Sequence, residues 1–200
     1  MPKEIPGRKR LLKKLQEKLK NDEYEVFYED EVHFKLTLTI IRAWFLAGTC
    51  PEIKSPTDRY KVSVFGALGK NGQLITCQNE VFDAMSFQKF LQKLIAEAQV
   101  ENNKNGKRKK ILLILDNAKY HHAKILKPWL EEVGDILELF FLPPYSPDLN
   151  AIEMMWRKTR RDVTHNRYFA CIDDLKYDIN RYWAQFENPN DELTKLTANI

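Results

Sequence analysis

Three acidic residues stand where metal-assisted phosphate chemistry places carboxylates. Asp30 closes the strand-like stretch "EYEVFYEDE" (23–31), Asp116 follows the apolar run "ILLIL" (111–115), and Glu153 lies just inside a helix-like segment. Hard divalent cations favour oxygen ligands, and two of them about 3.5 to 4 Å apart can stabilise both the attacking and the leaving oxygen in phosphoryl transfer. Two aspartates on adjacent central strands and a carboxylate from a helix would build such a site. Each residue also has a simpler explanation. Asp30 can be an acidic strand terminus and Asp116 the first residue of an Asp-Asn turn. Glu153 falls third after Asn150, and the pair resembles a capping box with Asn150 as the N-cap. A cap leaves the stiff "PPYSPDLN" (143–150) unexplained. Fixing a helix start against a sheet is what a ligand on that helix requires.

These carboxylates need elements to hold them. Residues 23–31 read as a strand with "HFKLTLTI" (33–40) as its hairpin partner, and "RYKVSVFGALGKNGQLITCQ" (59–78) as two more strands about a Gly-Lys-Asn-Gly turn. Glu29 and Glu31 would point to the face opposite Asp30. Phe87, Phe90, Leu91, Leu94, Ile95 and Ala98 recur at helical spacing and predict a helix over 84–99. The short "ILLIL" run reads as a strand covered on both faces, ending at Asp116 on the carboxyl edge, where α/β sheets place functional groups. Residues 122–133 read as helical with Pro128 as a kink or break, and "ILELFFL" (136–142) as a strand. Two further helical faces are formed by Ile152, Met155 and Trp156, and by Ile172, Leu175, Ile179, Tyr182, Trp183 and Phe186. The order predicts an α/β domain with a ribonuclease-H-like mixed sheet, in which an antiparallel three-stranded meander joins parallel strands and helices flank both. The expected division is a basic N-terminal helix or linker (1–22), the domain (23–186) and a C-terminal tail (187–200).

Composition bounds the function classes. With 44% hydrophobic and 12% aromatic residues, 200 positions can bury one sizeable core. There is no uncharged apolar run of about 18 residues and no signal-peptide pattern, so the chain reads as soluble and intracellular, with no membrane partner. Cys50, Cys77 and Cys171 are odd in number and far apart, which fits small buried thiols better than a disulfide framework or a zinc site with paired ligands. Trp44, Trp129, Trp156 and Trp183 read mainly as core, and His33 and His122 as solvent or packing residues. The net charge of +4 is modest, but basic residues cluster in the first twenty positions, at "KRKK" (107–110) and at "RKTRR" (157–161). Such clusters suit a polyanionic partner, although solvated helix faces give the same pattern.

In order and context, "YEDEVHF" (28–34), "LDNAKYHHA" (115–123) and "LPPYSPDLNAIEMMW" (142–156) resemble the motifs of DDE transposases of the mariner superfamily, closest to its bacterial insertion-sequence "six-thirty" branch. The 36 residues between Asp116 and Glu153 are close to the interval used there. The resemblance implies that Asp30, Asp116 and Glu153 are catalytic metal-binding carboxylates for two Mg²⁺ or Mn²⁺ ions. Asn117 and His121 match its Asp-Asn-x-x-x-His pattern, and Pro144, Ser146, Pro147, Asp148, Leu149 and Asn150 match its proline-rich lead-in. Ala151 departs from the family's usual proline, which would loosen the helix start. Lys119, Arg157, Arg160 and Arg161 are candidate phosphate contacts at the rim, with Asn117, His121 and Asn150 contacting DNA or supporting the site.

The activity so implied is metal-dependent DNA cleavage and strand transfer by a transposase catalytic domain. Its partners would be double-stranded transposon ends and target DNA, with integration at TA and a homodimer to process two ends. The implied location is a bacterial or archaeal cytoplasm, at the nucleoid. Full transposases of this kind carry helix-turn-helix modules ahead of the catalytic domain, whereas here only a basic helix precedes it. End recognition is then expected from a module on a separate or fused reading frame. Two alternatives stay open: a nuclease of the same fold that cuts without joining, and a truncated product that binds DNA or regulates a full-length transposase.

Overall fold

The centre of the computed structural model, which describes residues 8–49, 52–54, 59–144 and 146–198, is one long strand, β1 (Tyr24–Lys35). Val26, Tyr28, Val32 and Phe34 are buried at alternate positions, and no turn residue breaks that period at the acidic triplet. The hairpin expected between 23–31 and 33–40 is therefore not formed. Residues 33–35 extend β1, and its antiparallel partner is β2 (Lys61–Gly69), which pairs in turn with β3 (Leu74–Asn79). On the other side of β1 lies β4 (Lys110–Leu115), parallel to it, followed by β5 (Leu137–Phe141), parallel to β4. The order β3-β2-β1-β4-β5 puts the two aspartate-bearing strands side by side in the middle of the sheet. As expected, residues 111–115 are buried throughout.

Each face of the sheet carries its own helices. The amphipathic α1 (Arg8–Leu19) buries Leu15 on one face, and Lys18 pairs with Glu138 of β5 at 2.6 Å. On the other face lies α2 (Ala84–Glu97), opened by a reciprocal cap in which Asp83 accepts from the Ser86 N–H and Ser86 Oγ accepts from the Asp83 N–H. Its Phe87, Phe90, Leu91 and Leu94 pack with Phe65, Leu113 and Leu126. The segment expected as one helix over 122–133 is two 3-10 turns followed by α3 (Lys127–Glu132). Pro128 begins α3 rather than kinking it, because a first-turn residue needs no intrahelical N–H bond.

The α1 face is completed by α4 (Ile152–Thr159) with a π-helical continuation over Arg160–Thr164, by α5 (Ile172–Trp183) and by α6 (Asp191–Thr197). Leu193 of α6 is fully buried in this core, so the expected tail (187–200) holds a packed element. Gly72 lets it dock: its φ is +83°, and a Cβ there would stand 2.1 Å from the Asn190 carbonyl oxygen.

Some single-residue readings change. Cys77 is half-buried and Cys171 exposed, not small core thiols, while Cys50 lies outside the described residues. Trp156 and Trp183 are core and Trp129 is partly buried, but Trp44 is fully exposed. His33 stacks on Phe82 and His122 on Phe141, with ring centroids 5.0 and 4.3 Å apart. Among the described residues no helix is long and apolar enough to cross a membrane.

Candidate active site

Strand pairing brings the two aspartates together. Tyr28 of β1 is in register with Ile114 of β4, so two residues further along the same parallel pair come Asp30 and Asp116. Asp30 is thus inside β1 rather than at its end, and Asp116 is the first residue past β4. Asp30, Asp116 and Glu153 line one open cleft of about 370 Å³ together with Asn117, Asn150 and the proline-rich lead-in.

Each carboxylate is held by its own neighbours. Trp156 lies on the sheet over Gly66, the residue opposite Asp30 in β2, and its indole N–H donates to Asp30 Oδ2 at 3.1 Å. A Cβ on Gly66 would come within 2.3 Å of that ring. Asp116 Oδ1 accepts from the Ala118 N–H at 2.8 Å, and His121 Nδ1 stands 3.4 Å from the same oxygen. The lead-in to α4 is tied back to β4, since the Leu142 N–H donates to the Leu115 carbonyl and Asn117 Nδ2 to that of Leu142.

Asn150 corrects the capping reading. Its side chain does not cap α4; Nδ2 turns away and donates to the Glu29 carbonyl of β1 at 2.7 Å. The buried amide therefore pins the start of α4 to β1, beside Asp30. Ala151 is fully buried with φ −59°, the value a proline ring would impose, so the helix start has that geometry without the ring.

The cleft gathers negative charge against its own preference. Burial first, then the neighbouring Glu153 and Asp116, push the Asp30 carboxyl up to about 7, opposed by backbone and Trp156 hydrogen bonds. Asp116 moves the other way, held below the ordinary aspartate range chiefly by its hydrogen bond with His121. Crowded, partly buried carboxylates with free oxygen lone pairs suit a hard divalent cation, which would relieve the repulsion they now carry.

The remaining candidates divide. His121 is only 2% exposed and lies between β1 and Asp116, with Nδ1 toward Asp116 and Nε2 toward Glu31. Lys119 and Arg157 are exposed. Arg160 lies over the Phe34 ring, and Arg161 is engaged by Asp162 at 2.8 Å. Several other basic-cluster residues are also paired internally, Lys109 with Asp22, Glu25 and Glu101, Lys110 with Glu138, and Lys158 with Asp162 and Glu192. Sequence reasoning missed Trp156 and Gly66 as supports of Asp30. A signal existed for neither, because their meeting depends on how α4 lies across β2.

Known proteins are similar in sequence and in fold. The sequence profile of the family described as "DDE superfamily endonuclease" matches residues 25–176. The "Insertion element IS630 uncharacterized 39 kDa protein" of Shigella sonnei is 30% identical over 162 residues, 80% of this chain and 45% of that protein. The chain thus spans just under half the length of this curated relative. Among solved structures, the catalytic domain of Mos1 mariner transposase overlays with a TM-score of 0.62 at 16% identity, covering 95% of this chain and 84% of that one. The Mos1 mariner paired-end complex with Mn gives 0.67 at 16% identity, over 95% and 57%. The fold is therefore that of the Mos1 catalytic domain, and the chain belongs to the DDE superfamily endonucleases.

Proposed function

We propose that this chain is the catalytic domain of an insertion-element transposase, cutting DNA at the element's ends and joining the freed 3′ ends to target DNA. The observation that carries it is the cleft in which Asp30, Asp116 and Glu153 meet, each on a different element. The solved relatives that share the fold include Mos1 complexes with transposon ends and with Mn or Mg. Two such ions held by the three carboxylates would supply Lewis-acid stabilisation of the attacking and leaving oxygens.

The chain's own residues do the positioning. The rigid middle of β1 fixes Asp30, and the Trp156 N–H occupies one side of Oδ2, which orients the carboxylate. His121 and the Ala118 N–H set the rotamer of Asp116. Asn150 holds the start of α4 against β1, which keeps Glu153 at the cleft. Arg157, one helical turn beyond Glu153, and Lys119, three residues beyond Asp116, are exposed cations for the DNA backbone.

Working at two ends calls for two catalytic domains. Ile40, Trp44, Phe45 and Leu46, in the segment that follows β1, are strongly exposed and offer a surface for a second copy of the chain. End recognition is assigned to a further module, fused or separate, in the cytoplasm where the nucleoid lies.

The test is Mg²⁺- or Mn²⁺-dependent cleavage and joining of DNA drawn from both flanks of the coding sequence, with any adjacent DNA-binding module supplied. Activity should fall to background in Asp30→Ala, Asp116→Ala and Glu153→Ala. Full activity in Asp116→Ala would sink the mechanism. Cleavage without joining of pre-cut ends would reduce the reading to a nuclease, and sequencing the junctions tests the expected TA target.

A further inference from the structure

Behind Asp30, on the opposite face of β1, three side chains converge that the cleft does not use. Glu29 is fully buried, and neither of its carboxylate oxygens meets a hydrogen-bond donor. Oε1 of Glu31 and Nε2 of His121 are likewise buried and unpartnered. His121 Nε2 lies 3.5 Å from Glu31 Oε1 and 3.9 Å from Glu29 Oε2, and one such atom from each residue falls within 4.8 Å of the others. These separations lie at or beyond the long limit for a hydrogen bond. The 3.5 Å separation matches the edge of a coordination tetrahedron, since ligands about 2.0 to 2.2 Å from a zinc ion stand roughly 3.3 to 3.6 Å apart, and the 3.9 Å one would have to close slightly on binding.

The surroundings offer these groups nothing else. Phe65 and Ala67 stand opposite Glu31 and Glu29 in the sheet register, and the Phe87 ring lies 4.2 Å from that of His121. Among the described residues no lysine or arginine pairs with Glu29 or Glu31. An unneutralised carboxylate in such a layer is strongly unfavourable. The orientation of His121 adds a second argument. Its Nδ1 faces Asp116 Oδ1 and the Asp116 carbonyl, both at 3.4 Å, while Nε2 faces the two glutamates. The ring thus bridges the Asp116 carboxylate on one side and the buried glutamate pair on the other. A metal-bound imidazole that turns its other N–H to a carboxylate has this arrangement.

We propose that Glu29, Glu31 and His121 form a buried cation site for a divalent transition metal of the zinc type, joined through His121 to the catalytic Asp116. One imidazole nitrogen with carboxylates favours such an ion over magnesium or calcium, which take all-oxygen shells. The Glu31 side chain is 14% exposed while those of Glu29 and His121 are sealed, so the ion enters past Glu31.

A chain carrying Asp30→Asn with Glu153→Gln dismantles the cleft and isolates this site. Stripped of metal and then titrated with Zn²⁺, it should retain one zinc per chain after desalting, counted by mass spectrometry. Adding Glu29→Gln should reduce that to background. The unsubstituted protein, crystallised with Zn²⁺, should show an anomalous peak between the three side chains, so a folding defect in the variant does not decide the matter. No retained zinc in the cleft variant, an unchanged count with Glu29→Gln, or no anomalous peak at the three side chains would overturn the proposal and leave protons as the neutralising charge. Metal counting does not depend on cleavage, so an inactive chain with zinc here would defeat the transposase reading alone.

Discussion

Asp30 shows what the cleft costs the metal-free chain. Burial and the nearby Glu153 and Asp116 raise its carboxyl to about 7, so at higher pH an ionised Asp30 opposes folding. A group that serves chemistry at the expense of stability is a common feature of active sites. Asp30→Asn removes the charge while preserving shape and the Trp156 acceptor. In chelator at pH 8 its thermal midpoint should lie above that of the unsubstituted chain, although cleavage is lost. An equal or lower midpoint would mean that the carboxylates do not strain the fold. Asn150 belongs to the same scale: its spacing to Glu153 reads as a cap, and only the path of its side chain across to β1 reveals a strut.

At the level of elements, the placement of Asp30 depends on α4 lying directly on β2, and Gly66 permits it. Gly66→Ala should push the Trp156 ring away and cost about 1 to 3 kcal/mol as an overpacked contact. Urea unfolding measures that cost, and cleavage should fall with it; an unchanged midpoint would show that the ring has room to move. The far end of the same helix is held by charge. Asp162 accepts from Arg161, Tyr182 and Lys158, at 2.8, 2.7 and 3.1 Å, and these partners hold its carboxyl well below the usual aspartate range. With a folded pKa below the unfolded one, its contribution is present above about 3.9 and is lost as pH falls through the depressed value. Asp162→Asn should therefore be less stable than the parent at pH 7, with the gap closing as the medium is acidified toward pH 2. A gap that does not narrow between about pH 4 and pH 2 would assign the loss to packing instead of charge.

For the whole molecule, the open question is what covers the apolar segment that leaves β1. Trp44 is fully exposed and Leu46 nearly so, in a protein whose other tryptophans are all at least partly buried. If a second copy packs there, Trp44→Ser with Leu46→Ser should shift a concentrated sample, or its DNA complex, from dimer to monomer in analytical ultracentrifugation. The isolated fold should keep its unfolding midpoint. A dimer that survives both changes would place the contact elsewhere.

Much of this was legible in the chain itself because it rests on local periodicity and short motifs. The buried "ILLIL" strand ending at Asp116, the α2 helix and the succession of antiparallel and parallel strands depend on near neighbours. The continuation of β1 through Lys35 was not legible, because Asp30 interrupts the apolar period between Tyr28 and Val32. Other features had no local signature. That Glu29, Glu31 and His121 meet, that Gly66 clears space for Trp156, that Asn150 faces β1, and that Leu193 is core were settled only when distant segments packed. Spacing along a strand or helix determines which face a side chain takes, but which residues wait on that face is decided by the register and crossing of elements far apart in the chain.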